Sequence, residues 1–233
     1  MRFGGLSMTS FEKLKKALEI KNNKDARKTR GFIACGFCTD WPDDMKKISD
    51  DGLKRWATPA RWEAYTAGRL NRDKFVNVTC DRADKHYEKR LEKDLEKLEA
   101  IENAPAFDSI QICIKWINSY AWGSNPRAVL TCNNYKVNAT RSGCNYDKRA
   151  AVVADVLNEC PEILKLLCEN VDTLKDNGRY ISGLCPGDVL PTFDGCGVYS
   201  TFDVLEKVGL HVNYDFTNTK KDVITITKGE KRK

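Results

Sequence analysis

The sequence predicts an α+β fold in which a helical N-terminal region precedes an antiparallel sheet with helices on one face. Two observations support this prediction. Apolar residues recur with a period of about 3.6 before Pro105 and with a period of about 2 beyond it. Beyond Pro105, strand patterns stand in pairs at both ends of the region with helix patterns between them, which favours antiparallel pairing. We therefore expect a helical, basic region at residues 1–104, an α+β domain at residues 105–228 and a basic tail at residues 229–233.

The first helix is expected to have Ser10 as its N-cap, because a serine side chain can accept a hydrogen bond from the free N–H groups of the first turn. Its apolar stripe consists of Phe11, Leu14 and Leu18. Thr58 followed by Pro59 is a typical start signal for another helix, since proline is readily accepted in the first turn. Trp62 and Tyr65 then fall on one face of that helix.

The strongest helix pattern covers residues 81–103. Leu91, Leu95 and Leu98 form a single narrow apolar seam, and the Lys and Glu residues between them can form exposed ion pairs. One seam of this length predicts packing against another helix, either of the same chain or of a second copy in a homodimer. Pro105 ends the helix.

The second region begins with a strand at residues 110–116, where apolar and polar residues alternate. A turn is expected at residues 123–126, followed by a second strand at about residues 127–139. Asn145 is the expected N-cap of the next helix. The remaining predicted elements are helices at residues 145–157, 161–168 and 201–208 and a closing hairpin at residues 210–216 and 222–227.

Composition bears on the compartment. The sequence holds no apolar run of the roughly 18 residues that span a bilayer. Its first residues also lack the apolar core of a secretory signal. We therefore expect a cytoplasmic protein without a membrane partner. Ten cysteines are present, but most of those in the second region occupy apolar positions of predicted strands and helices, so we expect buried free thiols rather than disulfides.

Positive charge is concentrated in residues 13–30, which contain eight basic and two acidic residues and thus account for the net charge of +6. The basic residues are Lys13, Lys15, Lys16, Lys21, Lys24, Arg27, Lys28 and Arg30. Such a cluster can neutralise the phosphates of DNA or RNA, or contact a partner loaded with nucleic acid. Lys148 and Arg149, at the start of a predicted helix, could add to an anion site there. The alternative for the whole cluster is a solvated helix face.

A zinc site is the sharpest chemical possibility that the sequence leaves open, although no cofactor is otherwise expected. Cys35 and Cys38 have the two-residue spacing of a zinc knuckle, and Cys80 with His86 could complete a tetrahedral set. The spacing of the second pair is irregular, however. Buried thiols near a helix end are the alternative.

No recognisable catalytic constellation occurs. The two histidines, His86 and His211, have no local partner signature for nucleophilic catalysis. A metal-dependent nuclease could use Asp147, Asp188 and Asp194, since such sites need only two or three converging acids, but their spacing does not favour it.

Three segments carry a family resemblance. Residues 122–126 read Trp-Gly-Ser-Asn-Pro, residues 142–149 read Ser-Gly-Cys-Asn-Tyr-Asp-Lys-Arg, and residues 197–210 contain Gly-Val-Tyr-Ser and Leu-Glu-Lys-Val-Gly-Leu. With the Lys/Glu helix before them, they resemble a family of uncharacterised proteins from phages and integrated elements of gut Firmicutes, over about residues 85–228. The resemblance implies a fold and a mobile-element setting, in which some small proteins act as anti-CRISPR or other anti-defence inhibitors. It implies no catalytic residue.

The expected function is therefore that of a phage or mobile-element accessory protein in the cytoplasm of a bacterial host. It would bind a nucleoprotein complex, such as a CRISPR-Cas effector or another host defence nuclease with its guide RNA or DNA, and inhibit it. The alternative is an enzyme that acts on nucleic acid or nucleotides through an acidic or zinc site.

Overall fold

The computed structural model divides the chain into two compact units. One unit comprises Lys15–Leu98, and the other comprises Met1–Leu14 together with Glu99–Lys233. We call them the helical unit and the α+β unit. The residues that the structure describes are 8–35, 54–119, 123–133, 135–140, 148–217 and 221–229.

Within the described residues, the first half of the chain contains the helices α1 (Ser10–Cys35), α2 (Pro59–Thr66) and α3 (Arg72–Glu102). In the helical unit, α1 and α3 run antiparallel, because later residues of α1 contact earlier residues of α3. Three polar contacts show this: Asp25 with Arg90, Thr29 with Tyr87, and Arg30 with Asp84. The part of α3 that carries Asp84, Tyr87 and Arg90 thus lies beside a helix of the same chain, whereas the partner of the Leu91, Leu95 and Leu98 seam stays a prediction.

The N-cap of α1 differs from the prediction. Thr9, not Ser10, caps the helix: its Oγ1 accepts from the Glu12 N–H, and the Glu12 carboxylate accepts from the Thr9 N–H. This reciprocal pair is a capping box, which a Thr-x-x-Glu spacing signals in the sequence. Ser10 instead donates from Oγ to the carbonyl oxygen of Glu169, at 3.2 Å.

The start signal of α2 is confirmed, because Thr58 is its N-cap and accepts from the Arg61 N–H. Helix α3 begins earlier than the residue 81 that the sequence predicts. Asn71 accepts from the Lys74 N–H at 2.9 Å and thereby starts the helix. The added turns bury Phe75, whose ring stacks on Tyr65 of α2 with 4.3 Å between centroids.

The α+β unit contains a five-stranded antiparallel sheet, which confirms the predicted fold class. Its strands lie in the order β3-β2-β1-β7-β6, with β1 in the centre. They are β1 (Ser109–Ser119), β2 (Gly123–Cys132), β3 (Tyr135–Thr140), β6 (Leu210–Asp215) and β7 (Lys221–Lys228). A separate two-stranded ribbon pairs β4 (Lys175–Asp176) with β5 (Arg179–Tyr180).

Helices α4 (Lys148–Asn158), α5 (Pro161–Glu169) and α6 (Val198–Lys207) complete the unit. Helix α4 packs on β2 and β3, α6 packs on β6, and both α5 and α6 contact α4. The sheet offers this layer an apolar face formed by alternate residues of each strand. Fully buried members of that face are Ile110, Ile112, Ile114, Ala128, Leu130, Cys132, Ile224 and Ile226.

Two sequence expectations for the sheet are wrong. The Gly-Ser-Asn-Pro segment is the start of β2 rather than a turn, and Pro126 stands opposite Trp116 of β1. Within the described residues, β3 pairs with β2 only as far as Arg127, so Pro126 has a described neighbour on one side alone, where a proline can fit. The single strand expected at about residues 127–139 is two strands, because Asn133 adopts a φ of 46° and reverses the chain.

Candidate nucleic-acid interface

Helix α1 carries a stripe of exposed basic side chains along the helical unit. Lys16, Ile20, Lys24 and Arg27 follow one another at spacings of three or four residues, which places them on one face. All four are exposed, and Ile20 retains 59 % of its accessible surface. We call these four residues, with Lys28, the α1 stripe.

A groove lies along this stripe. It has a volume of about 540 Å³ and is lined by Ile20, Asn23, Lys24, Arg27, Lys28 and Gly31. Its walls therefore combine three cations with an isoleucine and the open backbone at Gly31. Because Gly31 has no side chain and no atom stands within 4 Å of the place a Cβ would take, a ligand could approach the helix backbone there.

The eight predicted basic residues differ in their partners. Lys13 pairs with Asp172 at 2.8 Å, and Arg30 pairs with Asp84 at 2.8 Å. Lys21 and Lys28 make further interactions. Within the described parts of the chain, the structure records no ion pair for the remaining four. They are Lys15, Lys16, Lys24 and Arg27.

An acidic residue inside the basic segment is neutralised by the neighbouring helix. Asp25 accepts from Arg90 of α3 at 3.3 Å, and its side chain is only 30 % exposed. Since this carboxylate is engaged away from the stripe, it offsets the positive charge of the stripe less than the sequence suggests.

Arg149 is held by the α+β unit itself. Its Nε lies 2.7 Å from Oδ2 of Asp222, a carboxylate that is 1 % exposed, and Trp116 donates to the same oxygen at 3.0 Å. The guanidinium also lies over the ring of Phe216, 4.2 Å from its centroid. Lys148, the other predicted contact in α4, donates to Asn125 at 3.3 Å. Anion binding by this pair stays a prediction.

The predicted zinc set is described only in part. Cys38 and the side chain of Cys35 lie outside the described residues. Cys80 is buried with Ile33 and Ala83, and burial raises the pKa of its thiol. His86 packs edge-on against Trp56, 5.5 Å between ring centroids. Zinc binding by these four residues stays a prediction.

The structure assembles a different group of potential metal ligands, which sequence analysis missed. Cys132 at the end of β2 and Cys160 and Glu162 at the start of α5 place one ligand atom each within 4.8 Å of one another, and all three are buried. Tyr135 donates to Glu162, and Asn133 donates to the other carboxylate oxygen at 3.4 Å. The only sequence signal was the Cys-Pro-Glu start of a helix.

Hydrogen bonds join the members of this cluster. Glu162 sits in the first turn of α5, where the helix dipole favours a negative charge. Burial and the nearby Cys160 raise the pKa of Cys132 to about 12, so both thiols are neutral near pH 7 and can act as weak donors. Cys132 and Cys160 are 0 % exposed, so no substrate reaches them in this conformation.

The acidic residues considered for a nuclease site have local roles where they are described. Asp188 accepts from the Thr192 hydroxyl at 3.3 Å, and Asp194 accepts from the Cys196 N–H at 2.8 Å. Asp147 lies outside the described residues.

Comparison with known proteins yields no relative. No protein family matches the sequence, no curated protein is similar enough to count as a match, and no solved structure matches the fold. A search of the helices in the described ranges finds none with the length and hydropathy of a membrane span.

Proposed function

We propose that this protein binds a partner that carries nucleic acid, and that the α1 stripe is its contact surface. The observation that carries the proposal is a row of exposed cations on one helix face that borders a groove. Each cation that neutralises a phosphate releases condensed counterions, which gives a binding free energy that does not depend on sequence.

The partner in this proposal is a nucleoprotein complex rather than naked nucleic acid. Ile20 is 59 % exposed in the middle of the stripe, between Lys16 and Lys24. A phosphate backbone offers this side chain no apolar contact, whereas a protein surface does. A surface that alternates cations with an apolar side chain therefore suits a protein with its nucleic acid bound.

A guide-loaded defence nuclease of the CRISPR-Cas kind is the narrower form of the proposal. It rests on the resemblance to phage and mobile-element proteins and on the mixed character of the stripe. In this form the protein acts by occupying the nucleoprotein surface, so no catalytic residue is required. Inhibition would scale with occupancy of the nuclease and would not show turnover.

The test is a salt series on a variant of α1 that removes three cations of the stripe and the neighbouring Lys15. Replacing Lys15, Lys16, Lys24 and Arg27 by Gln removes the four cations without a recorded ion pair. The slope of log affinity against log salt should become less steep by about 2.8 to 3.6, since each of the four lost phosphate contacts removes about 0.7 to 0.9. Labelled single-stranded RNA and duplex DNA serve as probes, measured by fluorescence anisotropy.

A matched control removes the same charge from α3. Lys85, Lys89, Lys93 and Lys97 are exposed, and their replacement by Gln lowers the net charge by the same four units. The proposal predicts a much smaller change for this variant. Equal losses in both variants, or an unchanged stripe variant, would show that binding follows net charge alone or does not involve α1.

Ile20→Ser separates the two kinds of partner. The change should leave affinity for naked nucleic acid as it is and weaken binding to a guide-loaded nuclease, measured by competition for cleavage of a labelled target. If inhibition is absent for the parent protein while nucleic acid still binds, the nuclease form of the proposal fails and the nucleic-acid form stands.

A further inference from the structure

The sheet of the α+β unit has a second face that points away from α4, α5 and α6. Residues of this outer face alternate with the buried ones and are exposed or partly exposed. Among the outer residues whose side chains are described, the charged ones at neutral pH are Lys115, Arg127, Lys136, Lys221 and Asp215. The described part of the outer face thus carries four cations and one carboxylate.

Three of these cations stand in one row across adjacent strands. Lys115 of β1 lies directly opposite Arg127 of β2 on one side and directly opposite Lys221 of β7 on the other. Directly opposed residues of an antiparallel sheet point to the same face, with Cβ atoms about 5 Å apart. All three side chains are exposed. We call them the β1 row.

A row of like charges is unfavourable by itself. Like charges directly opposite one another destabilise a sheet, and Lys115 has such a neighbour on both sides. In the described part of the chain, the structure records no ion pair for any member of the row. On the outer face, the nearest described carboxylate by register is Asp215, which stands opposite Val223, and the N–H and hydroxyl of Thr217 donate to it.

We propose that the β1 row is a phosphate-binding surface for nucleic acid, separate from the α1 stripe. Phosphate oxygens placed over the row would replace the mutual repulsion of three cations by attraction, so the arrangement that costs stability in the free protein favours the complex. Arg127 can bind a phosphate with two parallel hydrogen bonds, whereas Lys115 and Lys221 act as point charges.

The contact is to the backbone and not to bases. Among the described residues, the outer neighbours of the row are Cys113, Ile117, Asn125, Val129, Thr140 and Val223, and none of these is aromatic. Stacking of bases requires aromatic or planar side chains. Binding at the row is therefore independent of base sequence and strongly dependent on salt.

This inference shares the ligand class of the proposed function but rests on residues of the other unit. Failure of one therefore does not imply failure of the other. If only the α1 variant loses binding, the proposed function stands and the proposal that the β1 row binds phosphate is refuted. If only the row variant loses binding, the β1 row is the phosphate-binding surface and the proposed role of the α1 stripe is refuted.

The experiment compares two triple variants. The first variant removes the row by replacing Lys115, Arg127 and Lys221 with Gln. Lys136→Gln with Arg179→Gln and Lys207→Gln removes three exposed cations elsewhere in the same unit, including Lys136, which stands opposite Thr131 on the same sheet face. Affinities for duplex DNA and single-stranded RNA are measured between 50 and 200 mM salt.

The row variant should bind more weakly than the parent. Because three phosphate contacts are lost, the ratio of parent affinity to variant affinity should fall by about 20- to 40-fold between 50 and 200 mM salt. The control should change far less. The proposal would be overturned if the row variant bound as tightly as the parent at every salt concentration, or if it bound no more weakly than the control variant. So would equal binding of polyglutamate, which would assign the row to an acidic protein.

Thermal unfolding gives a second readout that does not depend on the triple variant being well folded. The single variant Lys115→Gln removes the central cation and should raise the melting temperature of the free protein at low salt. Added DNA should then stabilise it less than the parent. A melting temperature that falls at low salt would show that the three cations do not repel one another, and would overturn the argument.

Discussion

At the scale of single residues, Arg149 and Asp222 show how one ion pair can fix a helix to a sheet. Asp222 occupies a position on the buried face of β7, where the neighbouring residues of the same strand are isoleucines. Its charge is balanced by Arg149 from the first turn of α4 and by the Trp116 N–H. A buried carboxylate of this kind is costly unless it is paired.

Replacing Arg149 by Gln should therefore destabilise the protein by about 3 kcal/mol, because it leaves the Asp222 carboxylate buried with a single hydrogen bond. Chemical denaturation measures this. Arg179→Gln, an exposed arginine without a recorded ion pair, should stay within about 0.5 kcal/mol. A loss below about 1 kcal/mol for Arg149→Gln would show that the pair contributes little.

The buried thiols beside Glu162 make stability depend on alkaline pH. Burial raises the pKa of Cys132 from 9.0 to about 12, and it also raises the pKa of Cys160. The unfolded thiols ionise first, so this contribution is complete below pH 9 and is lost as the pH rises from about 9 towards 12.

Stability should fall in that window by up to about 1.4 kcal/mol per pH unit for each buried thiol. Cys132→Ala should flatten the decline relative to the parent. Denaturation midpoints measured from pH 8 to pH 11 provide the comparison. An equal decline in the Cys132→Ala protein would place its origin elsewhere.

At the scale of elements, the loop before α6 depends on one glycine. Gly183 has a φ of +98°, and a Cβ there would stand 2.6 Å from the carbonyl oxygen of Ser200. Both the backbone conformation and the close approach to α6 exclude a larger residue. The loop is thereby held against the first turn of that helix.

Gly183→Ala should cost several kcal/mol or prevent folding, since backbone strain and overpacking add. Gly178→Ala is the matched control: its φ of +78° is similar, but no atom lies within 4 Å of the added Cβ, so only the strain remains, about 1 kcal/mol. Thermal unfolding distinguishes the two. Equal effects would mean that the contact with Ser200 is readily relieved.

Elements predicted from the sequence were those with a clear period or a clear cap. The closing hairpin, the helix that starts after Thr58 and the buried face of β1 were all predicted correctly. The division between β2 and β3 was missed, because Asn133 reverses the chain without a glycine or proline. Periodicity alone cannot place such a turn.

At the scale of the whole molecule, local stability should differ widely. Strand β1 is hydrogen-bonded to β2 on one side and to β7 on the other, and its Ile110, Ile112 and Ile114 are fully buried. In α2, no residue is buried. Elements with few buried contacts open at low free energy, so α2 should exchange its amide hydrogens early and β1 late.

Hydrogen exchange followed by mass spectrometry measures this order. The expected outcome is near-complete exchange of residues 59–66 within minutes, while residues 110–116 remain protected for hours. The sheet residues 224–226 of β7 provide an internal reference, because they pair with β1 on one side and β6 on the other. Protection of α2 equal to that of β1 would contradict the reasoning.

The candidate sites were less accessible to sequence analysis than the fold. Clustering of Lys and Arg in residues 13–30 is visible in the sequence, but which cations are paired depends on Asp84 and Asp172, far along the chain. The β1 row was not seen, because it depends on the register of three strands. The Cys132 cluster likewise joins a strand end to a helix start.

The central position of β1 has a consequence for synthesis. All of the helical unit leaves the ribosome before β1, and its contacts are complete once Leu98 has emerged. The sheet must wait, because Ile110 pairs with Ile226 and β7 is the last strand to be made. Until then, one edge of an isoleucine-rich strand stays open, a state that invites aggregation and chaperone binding. The nascent chain should therefore depend on chaperones during the second half of its translation.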